Sequence, residues 1–217
     1  MRRVGATSDD PFGQQFRVLC VCTGNVYRSR IAEDEFRLSL RTRLGQDAER
    51  FLITSAGTRA TTGAPLAPDY LRALERLGVD PAGLGPTRHL EAVDIRAADL
   101  VLGADRGHRS AVLALVPGAM RRTFVLGELA RIVAAAVDRA AVADPASGGD
   151  PVIRAREVVA AAARHRGAVP AAGADDIADP WAQPHAVLEL AARQVREAVA
   201  RTVDVLVGAR DADLGRQ

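Results

Sequence analysis

The only two cysteines and the only asparagine of this 217-residue chain fall within one short stretch, Leu19-Cys-Val-Cys-Thr-Gly-Asn-Val-Tyr-Arg-Ser-Arg-Ile-Ala-Glu33. Cys22 closes an apolar run and Arg28 opens a helical pattern. A thiol at the end of a buried parallel strand stands where α/β folds hold their ligands. The turn beyond it leads into a helix start, whose unpaired N–H groups and dipole favour an anion. The same field favours a thiolate, which makes Cys22 a candidate nucleophile. The C-x5-R frame suits a phosphate. The backbone of Thr23, Gly24, Asn25, Val26 and Tyr27 can wrap the anion while the Arg28 guanidinium forks onto two oxygens. Gly24 is expected to let the backbone approach closely or turn left-handed. Asn25 tolerates the same conformation and can brace the loop through its amide, and Ser29 can donate its hydroxyl to the Cys22 sulfur. A bare C-x5-R frame arises often by chance. What lifts this one is its order of strand, glycine turn and helix.

A thiolate that attacks a phosphate ester needs an acid for the leaving group. Asp179-Pro180-Trp181 offers a carboxylate on a proline-stiffened loop and a flat apolar wall on which an aromatic substrate can stack. Taken alone, Asp-Pro also reads as a turn ahead of a helix.

Together, Val21-Cys-Thr-Gly-Asn-Val-Tyr-Arg-Ser29 and Asp179-Pro-Trp181 resemble the low-molecular-weight protein tyrosine phosphatases. Thr54-Ser-Ala-Gly-Thr58, Ala98-Asp-Leu-Val-Leu102 and Thr123-Phe-Val-Leu-Gly-Glu-Leu-Ala130 fall where that family has similar segments. The resemblance runs from about Phe16 to Val207. It implies a four-stranded parallel sheet flanked by helices, with Cys22 as nucleophile through a phosphocysteine and Arg28 on the phosphate. It further implies Asp179 as acid and then base, Ser29 tuning the thiolate, Asn25 bracing the loop and Trp181 lining the substrate pocket. No metal or other cofactor is implied. The implied partner is a phosphotyrosine protein or a small aryl phosphate.

Two positions depart from the family pattern. A cysteine usually precedes the arginine, and here that residue is Tyr27. Proline usually follows the serine, and here Arg30 stands there, which is expected to soften the loop and add a charge near the site. Cys20 is expected to be a packing residue, since cysteines two apart on an extended strand are poorly placed for a disulfide. His89, in a segment that packs behind the phosphate loop in the family, is expected to be structural. None of His89, His108, His165 and His185 has metal-ligand spacing. Asp175 and Asp176 read as solvated or capping carboxylates.

Around these motifs the pattern predicts one α/β domain with helices on both faces of the sheet. Strands are expected at Phe16–Cys22, Phe51–Ser55, Ala97–Leu102 (entered from a helix end) and Thr123–Leu126. Helices are expected from Arg28 to about Leu44, Pro68 to Leu77, about Gly107 to Leu115, and about Pro184 to Gly208. Residues 1–15 read as a flexible arm, 16–208 as the domain and 209–217 as a flexible tail. Within the domain, 127–173 reads as a helical insertion broken at Asp144–Pro151 and Gly167–Gly173. Its plainer role is a surface elaboration, its sharper one a lid.

Composition narrows the classes further. Every Lys/Arg position is arginine, so a Walker-type phosphate loop, Schiff-base chemistry and a pyridoxal anchor are excluded. A net charge of +2 with interspersed signs is not a nucleic-acid footprint. No apolar run reaches a membrane span and no secretory leader is legible at Met1–Gly13, so a cytoplasmic location is expected. Alternatives to a protein tyrosine phosphatase are a small-molecule phosphatase using the same site and a non-catalytic phosphate- or phosphoprotein-binding module. A thiol-dependent arsenate reductase needs a cysteine relay, and no cysteine follows Cys22.

Overall fold

The structure is a computed structural model that describes residues 14–80, 83, 85–138, 149–170 and 175–208. Most of the expected arm, the expected tail, and residues 144–148 and 171–173 of the two breakers lie outside the described residues.

The elements follow in the order β1 (Phe16–Cys22), α1 (Arg28–Leu44), β2 (Phe51–Gly57), α2 (Pro68–Arg76), α3 (Ala92–Ala97), β3 (Leu100–Gly103) and α4 (Arg106–Leu115). Then come β4 (Thr123–Val125), α5 (Leu126–Asp138), α6 (Pro151–His165) and α7 (His185–Val207). The strands form one parallel sheet in the order β2-β1-β3-β4. All four therefore point the same way, and the loops at their C-terminal ends share one edge of the sheet.

β1 sits inside the sheet and is packed on both faces. Phe16, Val18, Cys20 and Cys22 enter one core with Ile31, Phe36 and Leu40 of α1. Leu19 and Val21 enter a second core with Ile95, Val101 and Val112. The period-two alternation of a strand makes this division, and burial on both sides explains why β1 reads as a continuous apolar run. The edge strand β2 instead begins with exposed Leu52 and Thr54 alternating with buried residues.

Helix ends follow local chemistry. α1 stops at Gly45, which has φ 57°, a left-handed turn that glycine adopts without strain. α2 starts on Pro68, whose fixed φ suits a first turn. α7 buries Leu188, Ala191, Val195, Val199, Val203 and Leu206 at three- and four-residue steps, the stripe that a helix needs to lie along a core.

Within the segment 127–173, the described helix α6 packs as part of the core. α6 buries Val152, Ala155, Val158 and Ala162 in the larger core. Its arginines and flanks reach the starts of all four strands. Arg156 bonds the Gln15 carbonyl just before β1 and pairs with Asp99 just before β3. Asp150 pairs with Arg50 just before β2, and Arg166 donates to the Thr123 carbonyl at the start of β4. α6 thus closes the end of the sheet opposite Cys22.

Candidate active site

Cys22 ends β1, and the next five residues turn the chain into α1. No side chain caps the start of α1, and no acidic residue lies in its first turn, so its leading amides remain available to an anion. The Cys22 Sγ lies 3.0 Å from the Ser29 hydroxyl. Asn25 is fully buried with φ 54°. Its amide nitrogen donates to Ser29 Oγ at 3.0 Å and to Ser55 Oγ at 2.8 Å, and its oxygen accepts the Arg88 amide at 2.9 Å. The left-handed residue of the loop is therefore Asn25. Gly24 does not have positive φ, and a Cβ there would meet only Val26 at 3.4 Å. The glycine that the loop requires is Gly57 on β2, where a Cβ would come within 2.6 Å of the Thr23 carbonyl and 2.7 Å of the Asn25 amide nitrogen.

The hydrogen bonds behind the loop have a direction. Ser55 gives its one hydroxyl proton to buried Glu33 at 2.5 Å, so its oxygen is left to accept from Asn25. Ser29 likewise accepts from Asn25, which frees its own proton for the Cys22 sulfur. Burial pushes the Glu33 carboxyl up, against the lowering effect of the Ser55 bond and of Arg37, Arg30 and Arg88.

Arg28 is buried and held on two sides. Nη1 contacts the Asp105 carboxylate at 3.1 Å and the Ile177 carbonyl at 3.3 Å. Nη2 lies 2.8 Å from the Asp179 carboxylate and 3.5 Å from Thr23 Oγ1. Asp105 caps α4 by accepting the His108 amide at 3.0 Å. Burial would raise the Asp105 carboxyl, but hydrogen bonds from the His108 side chain and backbone, with the charges of His108 and Arg28, hold it far below the usual range. The buried His108 ring reaches back to the loop, with Nε2 3.0 Å from Thr23 Oγ1. Neither Asp105 nor His108 belongs to a local motif. The one sequence signal was an aspartate three residues ahead of a helix-turn partner, and that marks a cap rather than a site.

Over Cys22 opens a cleft of about 320 Å³, lined by the loop residues Thr23, Gly24, Val26, Tyr27 and Arg28, by Arg59, and by Asp179, Pro180 and Trp181. The sequence-expected residues meet here, apart from Asn25 and Ser29, which stand behind the loop. Tyr27 packs edge-on against Tyr70 at 5.3 Å between ring centroids, and Tyr70 lies 5.9 Å from Trp181. These contacts make one aromatic rim, of which Trp181 is 58% exposed. The aspartate loop is anchored beneath. The Ala178 amide donates to Gln194 of α7 at 2.9 Å, the Ile177 amide to the Ala104 carbonyl at 2.8 Å, and the Trp181 amide to Asp179 itself at 3.1 Å.

Two further expectations are revised. Arg30 does not soften the loop. It is only 2% exposed, and it donates from Nε to the Asn25 carbonyl at 3.1 Å and from Nη2 to the Pro86 carbonyl at 2.6 Å. Asp175 is not solvated but buried, in a two-pronged pair with Arg131 at 2.9 and 2.8 Å. Tyr27 supplies an aromatic wall where the family's cysteine would stand. The expectations for Cys20, His89 and Asp176 stand. Cys20 is buried and unbridged, and burial drives its thiol well up. His89 bridges to Gly57 and bonds the Ala60 carbonyl, and Asp176 caps α4 through the Arg106 amide. Among the described residues no group of three or more His, Cys, Asp or Glu side chains is arranged to hold a metal ion.

A family model for the low molecular weight phosphotyrosine protein phosphatases matches residues 17–166. The chain belongs to this family. The match stops short of Asp179, so the aspartate loop is placed by the fold rather than by the family match. Among solved structures, a low molecular weight protein tyrosine phosphatase from T. tengcongensis is 22% identical, with a TM-score of 0.60 over 88% of this chain and 99% of that one. The tyrosine phosphatase Wzb of Escherichia coli K30, solved with sulphate, is 19% identical with a TM-score of 0.58, over 87% of this chain and 96% of that one. The YwlE arginine phosphatase of Geobacillus stearothermophilus is 23% identical with a TM-score of 0.57, over 87% and 91%. The fold is thus shared by phosphatases with different stated substrates. No match was found among curated proteins.

Proposed function

We propose that this member of the phosphatase family hydrolyses phosphotyrosine and related aryl phosphate monoesters through a phosphocysteine at Cys22. The reading is carried by one convergence: a strand-end thiol, a buried arginine and a loop carboxylate face the same aromatic-rimmed cleft. The Cys22 thiolate attacks phosphorus in line with the ester oxygen, forming the S–P bond as the P–O bond breaks. Protonated Asp179 gives its proton to the departing phenolate oxygen. The Asp179 carboxylate then takes a proton from water, which attacks phosphorus, breaks the S–P bond and releases inorganic phosphate.

Arg28 supplies positive charge to the phosphoryl oxygens, and its contacts with Asp105 and the Ile177 carbonyl hold it in place before substrate arrives. The phosphate would take Asp179's place on the guanidinium. Thr23, Gly24, Asn25, Val26 and Tyr27 wrap the phosphate, and the Ser29 hydroxyl supports the sulfur both as nucleophile and as leaving group.

The walls favour an aryl ester. Tyr27 and Trp181 offer ring faces, and Val26 adds an apolar contact. A phosphoarginine would instead bring guanidinium N–H groups into a cleft where, among the described lining residues, one carboxylate, Asp179, stands beside the cations Arg28 and Arg59. Steady-state turnover of a phosphotyrosyl peptide, a phosphoseryl peptide and phosphoarginine separates the readings. Phosphotyrosine is expected to be hydrolysed fastest. Faster turnover of phosphoarginine would overturn the aryl assignment, and tight phosphate binding with no turnover of any of the three would favour a binding module.

A further inference from the structure

We infer that Arg30 is a positioning residue, a buried guanidinium that clamps the phosphate loop from behind and holds it in its anion-binding shape. The inference deepens the phosphatase reading of this site and rests on it.

The argument starts from where the side chain goes. Arg30 lies in the first turn of α1, beyond the last loop residue that faces the cleft. It turns away from the cleft and is almost fully buried. Nε donates to the carbonyl of Asn25, the loop's left-handed residue. Nη2 donates to the carbonyl of Pro86 on the segment that also gives its Arg88 amide to Asn25 Oδ1. One planar group therefore ties the most conformationally demanding residue of the loop to the strap behind it. The fork geometry of a guanidinium suits that double donation.

The clamp reaches Asn25 by a second route. Arg30 and Arg37 both pair with buried Glu33. Glu33 accepts the Ser55 hydroxyl, whose oxygen accepts from the Asn25 amide. Arg30 therefore bears on the loop's left-handed residue directly at its carbonyl and, through Glu33 and Ser55, at its side chain.

The test compares wild type with Arg30→Gln, Arg30→Lys and Arg30→Pro. Alkylation of Cys22 by iodoacetamide is followed at fixed pH with rising inorganic phosphate, with the tryptic peptide Val18–Arg28 sequenced by mass spectrometry to separate Cys22 from Cys20. The Gln and Pro variants are expected to need several-fold more phosphate for protection, and Arg30→Lys to fall short of wild type too, because an ammonium lacks the guanidinium fork. Unchanged protection in folded Gln or Pro variants would overturn the inference, even if they melt at lower temperature. A chain that folds only with a cation at residue 30 would also overturn it, by making Arg30 a requirement of the fold. Alkylation needs no turnover, so a chain without phosphatase activity can still show the Arg30 effect, and an active chain can lack it.

Discussion

Cys22, Arg28 and Asp179 gain their meaning from side chains that never face substrate. Asn25 is the clearest case. It makes three side-chain hydrogen bonds while holding a backbone conformation that few residues accept. Asn25→Ala removes all three and leaves the strain. It is expected to lower stability by roughly 2–4 kcal/mol in urea unfolding, and to lower kcat more than it raises KM, because the loop would lose its prepared shape. An alanine variant with wild-type stability and turnover would show that the network is incidental. Cys22, Arg28 and Asp179 were singled out by residue type in a strand–turn–helix order and by the resemblance that the two motifs carry together, and the structure brings all three to one cleft. Asp105 and His108 were missed for one reason. Asp105 stands 77 residues from Arg28, and His108 85 from Thr23. A contact across that distance leaves no local pattern.

At the scale of elements, the strands and helices followed the hydrophobic period and the glycine and proline stops. β1 and α1 have the expected bounds because a doubly buried strand and a helix entered from a polar turn both mark their ends chemically. The sequence could not show that α6 folds onto the end of the sheet, because a buried alanine-rich helix and a surface one share the same pattern. Gly57 tests how closely β2 and the loop must fit. A methyl group there would overlap the Thr23 carbonyl and the Asn25 amide, so the loop must shift. Gly57→Ala is expected to lose most phosphate binding by calorimetry while keeping far-UV dichroism near wild type. Intact phosphate affinity would mean that the strand yields instead of the loop.

For the whole molecule, one end of the sheet carries the cleft and the other is sealed by α6. No described helix is long and apolar enough to cross a membrane. Acid should weaken the fold partly through the site itself. The Asp105 carboxyl is held below its ordinary value, so its contribution is present above the unfolded value near 4 and is lost as pH falls toward its folded value. Asp105→Asn is expected to lower stability at neutral pH and to flatten its decline below about pH 4, as read from melting temperatures. An equally steep decline in the variant would remove Asp105 from the account.

The central claim is that Cys22 performs covalent catalysis on an aryl phosphate. Its most direct test is hydrolysis of p-nitrophenyl phosphate by wild type and Cys22→Ser in the presence of a metal chelator. The expected result is chelator-insensitive turnover in the wild type and its loss in the serine variant. Turnover that survives in folded Cys22→Ser would contradict the thiolate mechanism.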